Sequence, residues 1–285
     1  MTGFLTDSQK NQFFEDGYLI LRDFFSDESL TKLETSLIRL YAIQALKILE
    51  YRKKLSHGSN ILEYSTVQDL TEILELMEER DKEALYQVQK LFSQSYFVKE
   101  FYLNKKLINV ASELLNIPEE LVLFGDLALF INIPQTDRLL YKWHSEAHYY
   151  PKRQNFLNMW FPLFFEKNLE NGTMFFVKKS HTLKDLPFVE YQGYGLDSVG
   201  KKNYLVQYEI PESYLEKFEK IPLLTKRGDA VLSERNMVHA SSPNSSKQYS
   251  FASVFRIWEP TQDLTLSGDF TILRDLFGRP GIDKI

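Results

Sequence analysis

Lys142-Trp-His144-Ser-Glu146-Ala-His148-Tyr-Tyr150 and, further on, Gly228-Asp-Ala-Val-Leu-Ser-Glu-Arg-Asn-Met-Val-His239-Ala-Ser241 are the stretches that decide how this chain reads. Two histidines and a carboxylate form a donor set that holds iron(II) on one face and leaves the opposite face open. Residues two apart on a strand point to the same side. A strand over Lys142–Glu146 therefore aims His144 and Glu146 into one cavity, and His239 is expected from a strand on the facing side. A small barrel or sandwich brings such strands together, and its mouth is a common ligand site. His-x-Glu alone also suits an exposed polar strand edge, so the surroundings must decide.

Downstream and upstream of this stretch the pattern differs. From Leu121 onward, short apolar runs are separated by turns: Leu121–Phe124, Ala128–Ile133, Lys142–Glu146, Leu157–Pro162, Met174–Val177, Ala230–Ser233 and Tyr249–Trp258. Many short strands of this kind suggest a sandwich or barrel. Before it, helices are expected from Thr6, from Ser26 to about Tyr51, over Val67–Glu79, Lys82–Phe101 and Lys105–Leu115, with one short strand near Gly17–Leu21. Thr6 and Ser26 are N-caps, and Leu30, Leu33, Leu37 and Leu40 recur at helical spacing. The expected fold is α+β: residues 1–118 form a helical layer on a β core of 119–285, as one unit. Glu190–Tyr208, with its glycines and Lys201-Lys202, reads as a mobile lid over the barrel mouth.

The chain has 285 residues and is 44% hydrophobic, enough for a buried core; its 22 Phe and 16 Tyr favour β structure. A net charge of −5 without a basic stripe argues against a nucleic-acid partner. The absence of cysteine excludes disulfides and thiolate metal sites. No signal peptide is expected before the first helix, and no run approaches the ~18 apolar residues of a membrane span. A cytoplasmic protein without a membrane partner is expected.

Several segments, in order, resemble the phytanoyl-CoA dioxygenase family of iron(II)- and 2-oxoglutarate-dependent oxygenases. They are Phe13-Phe-Glu-Asp-Gly17-Tyr-Leu-Ile-Leu-Arg22, Trp143-His144-Ser-Glu146, Trp160-Phe-Pro-Leu163, Glu170-Asn-Gly172-Thr-Met174, Lys179-Ser-His181, Gly228-Asp229 and His239-Ala-Ser-Ser-Pro-Asn244. The resemblance implies a double-stranded β-helix, a jelly-roll or cupin-like barrel. It implies iron held by His144, Glu146 and His239, with Trp160 and Ser241 lining the co-substrate pocket. It also implies oxidation of a small molecule by molecular oxygen, coupled to decarboxylation of 2-oxoglutarate, with hydroxylation the usual result. Asn132, on a strand expected to flank the site, is a further co-substrate candidate.

Two departures stand out. Glu146 replaces the family's usual aspartate; it retains a ligating carboxylate and argues against a halogenase. Ser250 stands eleven residues after His239, where the family usually carries an arginine for the far carboxylate of 2-oxoglutarate. A forked guanidinium suits that task. Arg256 is the first replacement candidate, although six strand residues separate it from Ser250 by ~20 Å. Lys247 and Arg138 are others. Ser250 keeps two alternatives open: a decayed barrel that binds a small ligand, and a metal-dependent enzyme that does not use 2-oxoglutarate. His148 reads as a contact near the site on the same strand face as His144, His181 as a turn residue and His57 as a loop residue. Lys152, Arg153, Lys178 and Lys179 are candidates for attracting an anionic substrate. Gly172 is expected to need positive φ.

Overall fold

The computed structural model describes residues 3–47, 54–80, 84–125, 127–137, 140–151, 155–196 and 202–260. Helix α1, Asp7–Asp16, is closed by a reciprocal Thr6–Gln9 capping box and ends at Gly17 in the left-handed conformation, φ 79°. Strand β1, Tyr18–Leu21, follows directly. Helix α2, Asp27–Leu46, starts at Ser26, whose side chain accepts from Ser29 N. Asp27 and Glu28 in its first turn complement the helix dipole. Its described part ends at Leu46, and the expected end at Tyr51 lies outside the described residues.

Helix α3 spans Val67–Arg80. The single helix expected over Lys82–Phe101 is two: α4, Ala84–Ser93, and α5, Tyr96–Tyr102. Ser95 separates them because its hydroxyl caps α5, accepting from Val98 N. Helix α6, Lys105–Leu115, closes on Asn116 at φ 53°.

The β core consists of a six-stranded sheet, a three-stranded sheet and a hairpin. The large sheet contains β1, β2 (Leu123–Phe124), β3 (Ala128–Asn132), β4 (Phe156–Leu163), β9 (Ala230–Glu234) and β11 (Ser250–Trp258). Its order is β1-β9-β4-β11-β2, with β3 also pairing β11, all antiparallel. The small sheet runs β10 (His239–Ser241), β5 (Met174–Val177), β8 (Lys220–Pro222). Strands β6, Val189–Leu196, and β7, Lys202–Glu209, pair with each other. The segment expected as a mobile lid is thus this hairpin; its connecting residues 197–201 lie outside the described ones.

Period-two alternation assigns the faces of the large sheet. Leu157, Met159, Phe161 and Leu163 of β4, with Phe251, Phe255 and Ile257 of β11, join the helices in one hydrophobic cluster. Phe101 of α5 stacks on Phe161 and Phe255, with ring centroids 5.5 and 6.0 Å away. The buried carboxylate of Glu34 on α2 pairs with Arg227 at 2.9 Å and fixes this layer to the turn before β9. The intervening residues, Trp160, Val231, Ala252 and Val254, form a second cluster facing the small sheet. The two sheets enclose a cavity of about 390 Å³. The expected double-stranded β-helix with a helical N-terminal layer is therefore the observed architecture.

Candidate active site

His144, Glu146 and His239 meet in this cavity, each offering one ligand atom within 4.8 Å of the others. The route by which they meet differs from the strand-parity expectation. His144 and His239 are antiparallel partners: His144 N donates to His239 O at 2.9 Å, and His239 N to His144 O at 2.8 Å. Directly opposed residues carry their side chains on the same face, and the two rings lie 4.2 Å apart. His239 is thus a neighbour of His144 in one ladder rather than a residue on a facing strand. Nor does Lys142–Glu146 form a strand. Extended Ser145 leads into a one-turn helix α7, Glu146–Tyr149, whose first residue is the carboxylate.

The donor set fits a divalent metal. His144 Nδ1 contacts Lys142 O at 2.6 Å, and His239 Nδ1 contacts Met237 O at 2.9 Å. A carbonyl only accepts, so both Nδ1 atoms carry the proton and both Nε2 lone pairs are left for a ligand. Burial holds both imidazoles neutral, His144 down to about 3 and His239 also below its ordinary value, with His239 and Arg256 lowering His144 further. Glu146 is ionised. Its burial raises the carboxyl pKa, but the Arg256 guanidinium and both imidazoles more than offset this, and the net shift is downward. Arg256 meets the two carboxylate oxygens through Nε at 3.4 Å and Nη2 at 3.5 Å, a long two-pronged contact.

Trp160, Ser241, Asn132 and Arg256 all line the same cavity. Strand register places them along its floor: Ser250 opposes Asn132, Val254 opposes Trp160 and Arg256 opposes Asn158. Ser241 lies two residues beyond His239, its Oγ accepting from Tyr141 N at 3.3 Å. Arg256 is at the Glu146 end, and the register leaves it six residues from Ser250. Lys247 is exposed, and Arg138 is outside the described residues.

One lining residue has no precedent in the sequence reading. Lys167 is 2% exposed, and its Nζ donates to Asn132 Oδ1 at 2.8 Å and Gly172 O at 3.0 Å. Its loop, Glu166-Lys-Asn-Leu-Glu-Asn-Gly172, reads as solvated. The side chain turns inward because the Lys167 backbone bridges Thr225, donating at 2.8 Å and accepting at 3.1 Å. No local sequence signal marks this. Gly172 has φ 80°, as expected, and a β-carbon there would lie 3.0 Å from Ser242 O and 3.2 Å from the Asn132 side chain.

The hairpin contributes Val206 and Gln207 to the lining. Tyr149 anchors it, donating to Gln207 Oε1 at 2.6 Å and accepting from Tyr208 N at 3.2 Å. His148 does not follow His144 along a strand; it lies on α7, its ring against Phe188 and Tyr208. His181 lies in a 3-10 turn, its Nε2 3.2 Å from Phe14 O, and His57 contacts Asp69 at 2.8 Å. Lys178 pairs with Glu219 at 2.9 Å, Lys179 is exposed, and neither lines the cavity. Lys152 and Arg153 fall outside the described residues.

The family model "Phytanoyl-CoA dioxygenase (PhyH)" matches residues 13–251. The chain belongs to the phytanoyl-CoA dioxygenase family. Membership makes it an iron(II)/2-oxoglutarate-dependent dioxygenase, with iron(II) as cofactor and 2-oxoglutarate as co-substrate. No curated protein matches the sequence. Among solved structures, the chain is similar to the non-haem α-ketoglutarate-dependent carbocyclase SnoK from nogalamycin biosynthesis, at 15% identity and TM-score 0.56, covering 90% of this chain and 86% of that one. It is also similar to EctD from S. alaskensis with bound Fe, at 15% identity and TM-score 0.56, covering 91% and 79%. The same enzyme with 2-oxoglutarate and 5-hydroxyectoine gives 16% identity, TM-score 0.53, and coverage of 91% and 78%. At these identities the likeness establishes the fold. Among the described residues, no helix of this family member is long and apolar enough to cross a membrane.

Proposed function

We propose that this chain hydroxylates a small metabolite or biosynthetic intermediate, and that His144, Glu146 and His239 hold its iron. The convergence of these three donors in one cavity, with both Nδ1 atoms committed to backbone carbonyls, carries the reading. Bound there, iron supplies oxygen activation and 2-oxoglutarate the electrons that accompany it.

The chain's own residues set the conditions for that chemistry. Lys142 O and Met237 O keep each imidazole in the tautomer a metal needs. Arg256 holds Glu146 as the anion and fixes its orientation. Ser241, Asn132 and Trp160 line the co-substrate part of the floor. Tyr149 draws the β6–β7 hairpin over the remaining space, where Val206 and Gln207 limit the size of the substrate and its access to water. A cavity of about 390 Å³ suits a small molecule rather than a macromolecular chain.

Anaerobic titration of metal-free protein with iron(II), then 2-oxoglutarate, tests this reading. A visible charge-transfer band that is lost in His144→Ala supports it. Turnover of a candidate small molecule that survives in His144→Ala or His239→Ala overturns it.

A further inference from the structure

The family pattern leaves position 250 without its cation, and the cavity floor points to what replaces it. Ser250 is 1% exposed and its hydroxyl has no hydrogen-bond partner. It is paired across the ladder with Asn132, so both side chains lie on one face. Asn132 Oδ1 is in turn held by the Lys167 ammonium at 2.8 Å. Lys167 therefore approaches, from a different segment, the space next to a side chain at position 250.

The charge balance of the cavity separates its two cations. Among the described lining residues these are Lys167 and Arg256. Arg256 faces the carboxylate of Glu146. Lys167 faces only neutral acceptors, the Asn132 amide oxygen and the Gly172 carbonyl. An ammonium has three donors, and these contacts use two. A buried cation without a counter-charge is unfavourable unless something supplies the anion. Burial alone lowers its pKa, to about 7, with no neighbouring charge contributing.

The order of residues also fits. Ser241 follows His239 by two positions on β10, and Ser242 lies against Thr173, its N donating to Thr173 O at 2.8 Å. Gly172, which accepts from Lys167, comes next. His239, Ser241, Thr173 and Lys167 all line the same cavity.

We propose that Lys167 is the binding residue for the far carboxylate of 2-oxoglutarate, a lysine supplied by the loop before β5 doing the work of the arginine absent at Ser250. This rests on the 2-oxoglutarate reading above. The lysine also explains why Gly172 must lack a side chain: a β-carbon would crowd Asn132 and disturb both acceptors that position the ammonium.

The test is the affinity of iron-loaded, oxygen-free protein for 2-oxo acids, read by the charge-transfer band and by calorimetry. Lys167→Met is expected to weaken 2-oxoglutarate by about 10- to 100-fold, the loss of a charge-assisted hydrogen bond. Iron(II) affinity and affinity for 2-oxobutyrate, which has no far carboxylate, should be unchanged. Adding Ser250→Arg to Lys167→Met should restore 2-oxoglutarate affinity but not alter 2-oxobutyrate. Wild-type 2-oxoglutarate affinity in folded Lys167→Met overturns the inference alone. Wild-type protein that binds iron but no 2-oxo acid overturns the co-substrate reading and the inference with it. If Lys167→Met does not fold, the wild-type comparison decides: equal affinities for the two 2-oxo acids overturn the role of Lys167.

Discussion

His144 and His239 are joined twice through their backbones, and their side chains take no part in that join. The ladder here is built by amide hydrogen bonds, each Nδ1 is held by a backbone carbonyl, and the Nε2 atoms are left to serve a ligand. His144→Ala and His239→Ala should therefore remain folded, with melting temperatures within a few degrees of wild type. Both should lose iron. Iron(II) at 100 times its dissociation constant should stabilise wild type by about 2.7 kcal/mol and neither variant. Thermal melts with and without the metal check this; a variant stabilised as wild type is would remove its histidine from the ligand set.

Arg256 pairs with the buried Glu146, their side chains being 21% and 7% exposed. Removing one partner strands the other's charge, which costs ~3–5 kcal/mol for a buried pair. The contacts of 3.4 and 3.5 Å are long, so the lower end of that range is expected for Arg256→Met. Saturating iron(II) should recover part of the loss, because a dication then becomes the partner of the carboxylate. Denaturant unfolding of metal-free and iron-loaded variant measures both effects.

Lys167 predicts a pH dependence with a definite sign. Its pKa falls from 10.5 to about 7 on folding because burial disfavours the ammonium. Between those values the unfolded chain binds more protons than the folded one, so metal-free stability from this group rises with pH. The gain is absent below about 7 and complete near the ordinary lysine value, up to ~5 kcal/mol in all. The difference between wild-type and Lys167→Met melting temperatures across pH 7 to 10 isolates this contribution. Saturating 2-oxoglutarate, by holding the amine charged, should flatten it.

Gly172→Ala should cost ~1–2 kcal/mol, because φ 80° disfavours a side chain and the new methyl would press on Ser242 O and Asn132. The same displacement should weaken 2-oxoglutarate binding while leaving iron(II) affinity intact. Calorimetric titration of each ligand distinguishes this from a loss of folding.

Tyr149→Phe should act on the substrate side instead. It removes both hydroxyl contacts to the hairpin, at Gln207 and Tyr208. A higher KM for substrate, with unchanged affinity for iron(II) and 2-oxoglutarate, is the expected pattern in steady-state kinetics.

Much of the frame was legible in the sequence because it depends on local rules. Thr6 and Ser26 announce their helices through capping, and the runs at Leu157–Pro162 and Tyr249–Trp258 are β4 and β11 to within a residue or two. The three donors at His144, Glu146 and His239 were legible as types, but not their geometry. A two-residue bridge followed by a one-turn helix leaves no period to detect. The break at Ser95 was readable in principle, since serine three residues before Val98 is an N-cap signal inside an otherwise continuous apolar pattern. The β6–β7 hairpin was hidden by its glycines and lysines. Lys167 was hidden more deeply, because its burial follows from pairing with Thr225, far away in the chain.

Strand β11 lies in the interior of the large sheet, with β4 on one side and β2 and β3 on the other. It is also the last described strand to leave the ribosome. Until residues 250–258 emerge, β3 has no partner and β4 has only β9, so the floor between Asn132 and Asn158 cannot exist. The nascent chain must hold its helices and half a barrel open while it waits, and such long-range pairing is slow and exposes strand edges. Synthesis that stops before Ser250 would therefore leave an aggregation-prone remnant with all three metal donors present and no chamber to put them in.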